Sequence, residues 1–314
     1  MKSIRDPLPG VLLTTQLGRL TLKNPILMAS GTAGYGQELE AFADLSQLGA
    51  VIGKTVTRHP RAGNAPARVC ETPAGMLNAI GLQNVGMERF IREKLPYLRQ
   101  LNAKIVVNIA GETIEDFAEL ARDLAVLDSV DALELNISCP NVAHGLDFAT
   151  DPQLTEQVVS AVQKALSGAS TPVIAKLSPN VTDISLIARA AENGGAEALS
   201  VANTFVGMAV NARSRRPRLS NGFGGLSGPA IKPLALRAVY QCAQAVSIPI
   251  IGVGGISSGE DAAEFLIAGA SAVQVGTATF VYPDAALRVL NELEVFLHQQ
   301  GVPDVNGIVG TLQI

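Results

Sequence analysis

The stretch Ala-Leu-Glu-Leu-Asn-Ile-Ser-Cys-Pro-Asn, residues 132–141, combines a mainly apolar run with a polar end. The run covers residues 132–135, and Cys139 follows it between asparagines and a proline. In an α/β barrel, strands of this kind deliver reactive side chains to the carboxyl-terminal rim. Seven other runs of the chain also end in polar, glycine or lysine residues. The sequence therefore predicts a ring of such groups at one rim, and Cys139 is one member of it.

Eight short runs, rich in branched apolar residues, share this character. They lie at residues 25–30, 50–57, 104–111, 132–139, 172–179, 198–205, 249–256 and 272–279. Continuous apolar runs are typical of strands that are buried on both faces, as in a parallel sheet.

Segments with a helical period separate these runs and have recognisable starts. Asp151 and Pro152 predict the start of a helix after the fourth run. Ser258 and Asp261 resemble a capping box after the seventh run. Eight alternations of strand and helix predict a closed (β/α)8 TIM barrel, as a single domain over residues 1–314.

Two features depart from a minimal barrel. Residues 14–24 alternate around Gly18 and predict a β-hairpin that closes the bottom of the barrel. Long linkers follow the second, fourth and sixth runs, at residues 58–87, 140–150 and 206–230. Loops of this length at the carboxyl-terminal rim are usually functional.

The composition limits the class of protein. Of the 314 residues, 47% are hydrophobic and 17% charged, which predicts a large core. A net charge of −4 and a pI of about 5.5 argue against nucleic acid or an anionic membrane as the partner. Three widely separated cysteines predict no metal held by this chain alone. With no apolar signal segment or membrane span in the sequence, we expect a cytoplasmic protein with reduced thiols.

Three glycine clusters predict a phosphate site. They lie at residues 252–256, 276–278 and 224–228. Glycines let the backbone approach an anion closely, and the loops after the last two strands form the usual phosphate site of this fold. Glycines of ordinary tight turns are the alternative interpretation.

Two lysines, Lys54 and Lys176, lie within apolar runs and each needs an anion or a strong acceptor nearby. A flavin supplies one, because negative charge develops at its N1–C2=O edge on reduction. A Schiff-base lysine and a structural ion pair are the alternatives.

Four asparagines, Asn78, Asn108, Asn136 and Asn203, complete the polar set. Amides donate and accept hydrogen bonds, which suits a planar ring with alternating carbonyl and N–H groups, although each asparagine could instead cap a loop. Together with the lysines they predict a flat, anionic substrate held against a flat cofactor.

Cys139 could act as a base, act as a nucleophile or remain inert. His144 follows in the same loop and is typical of a solvated residue. For Cys70 and Cys242 we expect packing roles.

Four blocks of the sequence resemble the class 1 dihydroorotate dehydrogenases, FMN enzymes of pyrimidine (UMP) biosynthesis. The blocks are NISCPN at 136–141, NAIGLQN at 78–84, KLSPNVT at 176–182 and GGLSGPAIKP at 224–233. The resemblance implies oxidation of dihydroorotate to orotate, with Cys139 as the base that removes the C5 proton while the C6 hydride passes to flavin N5. Cysteine rather than serine at this position marks class 1, not the membrane-associated class 2.

The resemblance also assigns the remaining site residues. Lys54 joins Cys139 as a catalytic residue. Substrate contacts are implied for Lys54, Asn78, Ala79, Ile80, Gly81, Leu82, Asn136, Asn203 and Thr204. FMN contacts, for one FMN per chain, are implied for Ser30, Lys54, Thr55, Asn108, Asn136, Lys176, Val201, Gly228, Gly254, Gly255, Gly276 and Thr277.

Residues 57–64 and 75–84 look like subclass 1B, which passes electrons to NAD⁺ through a second subunit that carries FAD and a 2Fe-2S cluster. The implied assembly is a homodimer with electron-transfer subunits, a heterotetramer. Four arginines in the loop after the sixth run could dock an acidic partner, although a solvated loop is the alternative. They are Arg213, Arg215, Arg216 and Arg218.

Three rival functions remain. The nearest is subclass 1A, a homodimer that passes electrons to fumarate. A tRNA dihydrouridine synthase also joins FMN, a barrel and a cysteine, but the acidic pI argues against RNA binding. A phosphate-binding scaffold barrel would not need a cysteine, two strand lysines and four asparagines at one rim.

Overall fold

The computed structural model describes residues 10–137 and 148–314 of the chain. Within these ranges the strands are β1 (Thr15–Leu17), β2 (Leu20–Leu22), β3 (Ile26–Met28), β4 (Ala50–Ile52), β5 (Val69–Thr72), β6 (Gly75–Asn78), β7 (Lys104–Ile109), β8 (Ala132–Asn136), β9 (Val173–Lys176), β10 (Ala198–Val201), β11 (Phe205–Gly207), β12 (Val210–Asn211), β13 (Arg216–Pro217), β14 (Gly224–Ser227), β15 (Ile250–Val253) and β16 (Ala272–Val275).

Eight parallel strands close into a barrel in the order β3-β4-β7-β8-β9-β10-β15-β16, and β16 pairs with β3. Each of these strands lies inside one of the eight apolar runs. The predicted TIM barrel is therefore confirmed.

Helices alternate with the barrel strands and pack around them. They are α1 (Met87–Arg89) and α2 (Leu95–Leu98), joined by a π-helical turn (Phe90–Lys94), then α3 (Ile114–Ala125), α4 (Pro152–Ala165), α5 (Ile184–Asn193), α6 (Lys232–Ala243), α7 (Gly259–Ile267) and α8 (Ala285–Gln299). Single 3₁₀ turns lie at Gln37–Leu39, Leu45–Gln47, Pro229–Ile231, Thr277–Phe280 and Val305–Ile308. In the described ranges, every helix is too short or too polar to traverse a lipid bilayer.

The predicted helix starts are confirmed by their caps. The Asp151 carboxylate accepts hydrogen bonds from the first backbone N–H groups of α4, with Pro152 as its first residue. Ser258 and Asp261 form a reciprocal capping box at α7. These caps satisfy N–H groups that would otherwise lack intrahelical partners.

The hairpin β1–β2 closes the amino-terminal end of the barrel, as predicted. Its Leu17, Leu20 and Leu22 are buried and pack with inward-facing barrel residues such as Ile52 and Ile251. The alternating buried and exposed pattern of both strands places these leucines on one face. The open end of the barrel is therefore the opposite, carboxyl-terminal end.

A second, antiparallel sheet stands over that open end. Strands β11, β14, β6 and β5 pair in this order, and we call them the mouth sheet. They arise from the segments after β4 and β10, which were predicted to be linkers. The structure corrects this, since both segments contain strands. In β6 and β14 the residues on both faces are mostly half-buried, which hides the alternation by which strands are recognised in a sequence.

Candidate active site

The barrel rim and the mouth sheet enclose a cavity of about 1000 Å³. Nearly all of the described residues for which substrate or FMN contacts were predicted line it. They are Ser30, Lys54, Thr55, Asn78, Ala79, Ile80, Gly81, Leu82, Asn108, Asn136, Lys176, Asn203, Thr204, Gly228, Gly254, Gly255, Gly276 and Thr277. Val201 is the exception, because it is fully buried at the end of β10, and its neighbour Ala202 lines the wall instead. Cys139 and His144 lie outside the described residues.

The three glycine clusters meet on one side of the cavity. A Cβ atom at Gly255 would lie 2.8 Å from the backbone nitrogen of Lys232, at the start of α6. A Cβ atom at Gly228 would approach Gly75 within 2.7 Å and Thr277 within 3.5 Å. Gly228 and Gly255 also have φ values of +95° and +74°, which favour glycine. Backbone segments therefore converge here more closely than side chains would allow.

Lys54 follows β4 and reaches the cavity in a partly desolvated position. Burial lowers the pKa of its ammonium, and the positive charge of Arg68 lowers it further. Among the residues that the structure describes, none forms an ion pair with Lys54. A buried cation without a counter-ion attracts an anionic ligand.

Lys176, at the end of β9, does have an ionic partner. Its Nζ lies 3.7 Å from Oε1 of Glu134, and the Glu134 side chain is completely buried inside the barrel. The structural ion pair, one of the alternatives for the rim lysines, is therefore present for Lys176. The same lysine still lines the cavity, so the ion pair leaves its ammonium able to face a ligand.

Glu134 is the centre of a buried polar network. Its Oε1 accepts a hydrogen bond from Asn108 Nδ2 at 2.6 Å. Its Oε2 accepts from Ser200 Oγ at 2.5 Å and from Gln274 Nε2 at 2.7 Å. In-register pairing of Asn108 with Glu134, and of Ser200 with Lys176, places these side chains in one inner layer of the barrel.

Asparagines line the wall between the rim and the mouth sheet. Asn203 Nδ2 donates to Asn136 Oδ1 at 3.5 Å, and Asn203 Oδ1 accepts from the backbone N–H of Thr204 at 2.9 Å. Asn78 donates to the Gly225 carbonyl at 3.3 Å, across the mouth sheet. The four predicted asparagines thus lie around one cavity, although they come from distant parts of the chain.

Comparison with known proteins identifies the family of this chain. The dihydroorotate dehydrogenase family model matches residues 12–297. The chain belongs to the dihydroorotate dehydrogenase family. This membership confirms the predicted resemblance and makes the chain a dihydroorotate-oxidising enzyme by family.

Individual relatives cover nearly the whole chain. Proteins from Geobacter metallireducens and Geotalea daltonii are each 51% identical over 303 residues, which cover 96% of this chain and 98% of the relative. Both are named dihydroorotate dehydrogenase B (NAD(+)), catalytic subunit. A protein from Solibacter usitatus is 52% identical over 302 residues, with the same coverage, and is provisionally named dihydroorotate dehydrogenase A (fumarate).

Some residues in and beneath this cavity were not expected from the sequence. Glu134, Ser200 and Gln274 were counted within apolar runs, although a carboxylate inside such a run needs a partner as much as a lysine does. Asn180 also lines the cavity, and its amide donates to the Thr204 carbonyl at 3.0 Å. Its place directly after β9 was the signal that could have revealed it.

The two described cysteines differ in their surroundings. Cys242 is buried in α6, and burial raises the pKa of its thiol to about 12, in keeping with the expected packing role. Cys70, in β5, packs against the small cluster around Leu77 and also lines the cavity. The packing role predicted for Cys70 is therefore incomplete.

Proposed function

We propose that this chain oxidises dihydroorotate to orotate with one FMN bound in the rim cavity, as the catalytic subunit of an NAD⁺-dependent enzyme. The observation that carries the proposal is the gathering of eighteen assigned residues, from sequence positions 30 to 277, around one cavity. Active sites of TIM barrels lie at this end of the fold.

The residues of the cavity fit FMN. Asn108 Oδ1 is buried without a hydrogen-bond partner in the described structure, as an acceptor for a ring N–H would be. Lys176 offers a cation for the N1–C2=O edge. The converging glycine backbone at Gly228 and Gly255 suits a phosphate, which backbone N–H groups bind without the hindrance of side chains.

Bound FMN would supply a two-electron acceptor for the hydride from C6 of dihydroorotate. Lys54 would hold the anionic substrate, because its ammonium lies in the cavity without an ionic partner in the described ranges. Asn78, Asn136 and Asn203 would orient the substrate ring through its carbonyl and N–H groups. Cys139, three residues beyond the end of β8, would remove the C5 proton.

The electrons would leave through a second subunit that carries FAD and a 2Fe-2S cluster. Two observations support this part of the proposal. The relatives from Geobacter metallireducens and Geotalea daltonii are named as the catalytic subunits of NAD⁺ enzymes. The three cysteines at positions 70, 139 and 242 also lack the close spacing of an iron–sulfur motif. We propose a heterotetramer built on a homodimer of this chain.

The half-reaction can be tested on the purified full-length chain. We expect a yellow flavin spectrum that bleaches when dihydroorotate is added without oxygen, and no bleaching with orotate. Lys54→Met should weaken orotate binding at least tenfold, while Lys164→Met, an exposed lysine of α4, should not change it. A flavin that binds but stays oxidised with dihydroorotate would refute the proposed substrate.

Fumarate is a second candidate acceptor, because the Solibacter usitatus relative carries that provisional assignment at 52% identity. The two candidates differ in what reoxidises the bleached flavin. The NAD⁺ proposal expects reoxidation by NAD⁺ only after a cysteine-rich, FAD-containing subunit is added. Rapid reoxidation of the isolated chain by fumarate would instead assign it to the fumarate-dependent group.

A further inference from the structure

The Glu134 carboxylate lies beneath the proposed flavin site, where a negative charge opposes reduction. It is completely buried in the middle of β8 and does not itself line the cavity. Asn108 and Lys176, which both contact it, form the cavity wall above it. A charge at this depth is screened far less than a charge at the surface.

Four donors surround this carboxylate. They are the side-chain nitrogens of Asn108, Gln274 and Lys176 and the hydroxyl of Ser200. A carboxylate only accepts hydrogen bonds, so it satisfies the donors of Asn108, Gln274 and Ser200 together, while Lys176 lies at ion-pair distance. Lys176 is the one cation within 4 Å of Glu134 in the described ranges, and the charge of the pair is close to balanced.

The carboxylate also fixes the orientation of two amides. Asn108 and Gln274 each turn the amide nitrogen toward Glu134, which leaves their oxygens Oδ1 and Oε1 buried without a hydrogen-bond partner among the described residues. An amide orientation is set by its hydrogen-bond network. Glu134 therefore determines that the oxygen of the Asn108 amide, and not its nitrogen, is left without a hydrogen-bond partner in the described ranges.

We propose that Glu134 is a positioning residue that lowers the reduction potential of the bound flavin. It does so by offsetting the charge of Lys176, whose side chain lines the cavity, and it also fixes the Asn108 amide in the cavity wall. Lys176 alone would favour the negatively charged, reduced ring, and the carboxylate 3.7 Å from its Nζ weakens that preference. This inference rests on the proposed function, because it requires FMN in the cavity.

The test is a redox titration of the FMN-loaded chain with a reference dye. Glu134→Gln keeps the shape of the side chain and removes its charge. We expect the equilibrium to shift at least tenfold toward reduced flavin, a rise of about 30 mV for a two-electron couple. Ser200→Ala is the matched control, since it removes one hydrogen bond to the carboxylate without changing charge, and its shift should be much smaller.

Equal shifts in Glu134→Gln and Ser200→Ala would overturn the proposal, because packing would then explain both. An unchanged or lower potential in Glu134→Gln would also overturn it. If Glu134→Gln fails to fold or to retain FMN, Glu134→Asp decides the question. Glu134→Asp keeps the negative charge but moves it away from Lys176, so we expect a small rise in the reduction potential of the flavin. No rise would contradict the proposal.

The proposed function and this inference are refuted by different results. A wild-type chain that binds no flavin, or whose flavin dihydroorotate does not bleach, would refute the function itself. A wild-type chain that bleaches normally, combined with an unshifted Glu134→Gln potential, would refute only the role of Glu134.

Discussion

Lys54 is held in surroundings that disfavour its own charge. Burial is the larger cause of its lowered pKa, and Arg68 adds repulsion between like charges. At a pH below that lowered pKa, the protonated ammonium is a strong site for an anionic substrate. As the pH rises through the lowered pKa, the ammonium loses its proton and no longer attracts the anionic substrate.

The affinity for orotate should therefore fall as the pH rises above the lowered pKa of Lys54. In Arg68→Gln the repulsion is removed and the pKa of Lys54 rises, so the fall in affinity should move to higher pH. Flavin absorbance titrated with orotate across the pH range measures this. Arg58→Gln is the control, because Arg58 pairs with Asp123 outside the cavity. Identical pH profiles for Arg68→Gln and the wild type would refute the coupling.

The proposed role of Cys139 as the base can be tested by mutation. Cys139→Ser should slow flavin reduction by roughly 100- to 10,000-fold and move its optimum to higher pH, because a hydroxyl is a much weaker acid than a thiol. Rapid-mixing measurements of flavin bleaching would show both effects. Cys242→Ala, which removes a thiol buried in α6, should leave the rate unchanged. If Cys139→Ser keeps the wild-type pH optimum, Cys139 is not the base.

Individual site residues were predictable from the sequence when they ended a strand. Lys54, Asn108 and Asn136 were assigned because polar side chains at strand ends face the rim. Glu134 was missed because it lies in the middle of its strand, where an apolar run gave no reason to separate it from its neighbours. Its partners come from β7, β10 and β16, and the closure of the barrel alone brings them together.

At the scale of elements, the barrel strands and the capped helices were predictable because their signals are local. Each strand is a continuous apolar run, and each cap is a pair of residues close in sequence. The mouth sheet depends instead on pairing between segments about 150 residues apart, such as Leu77 with Leu226. Its strands are short and only partly buried, and β6, β11 and β14 contain glycines, so the hydrophobic pattern could not reveal them.

The hairpin β1–β2 gives an element-scale prediction about stability. Leu20→Ala should lower the free energy of unfolding by about 2–5 kcal/mol, because it opens a cavity in the closed end of the barrel. Thr21→Ala, on the exposed face of the same strand, should change it by less than about 0.5 kcal/mol. Urea denaturation measures both. Leu20→Ala should still bind FMN, because the cavity lies at the opposite end of the barrel. Loss of FMN binding would contradict the independence of the two ends.

At the scale of the whole molecule, an acidic chain carries a local cluster of positive charge. The net charge is −4, yet the strands β12 and β13 and their turn present four exposed arginines beside the mouth sheet. They are Arg213, Arg215, Arg216 and Arg218. The suggestion that these arginines dock an acidic partner stays a prediction, with a solvated hairpin as the alternative.

Charge reversal separates these two interpretations. Arg213→Glu combined with Arg215→Glu should slow association with the proposed electron-transfer subunit several-fold at low salt, because complementary charge mainly raises the rate of encounter. The effect should fade as salt shortens the Debye length below about 10 Å. Arg99→Glu with Lys164→Glu reverses as many exposed charges elsewhere and should have little effect. If the arginine variant associates as fast as this control, the arginine hairpin is solvated surface and not a docking site. Charge steering acts only where the partner approaches, so a docking site would show a slower rate.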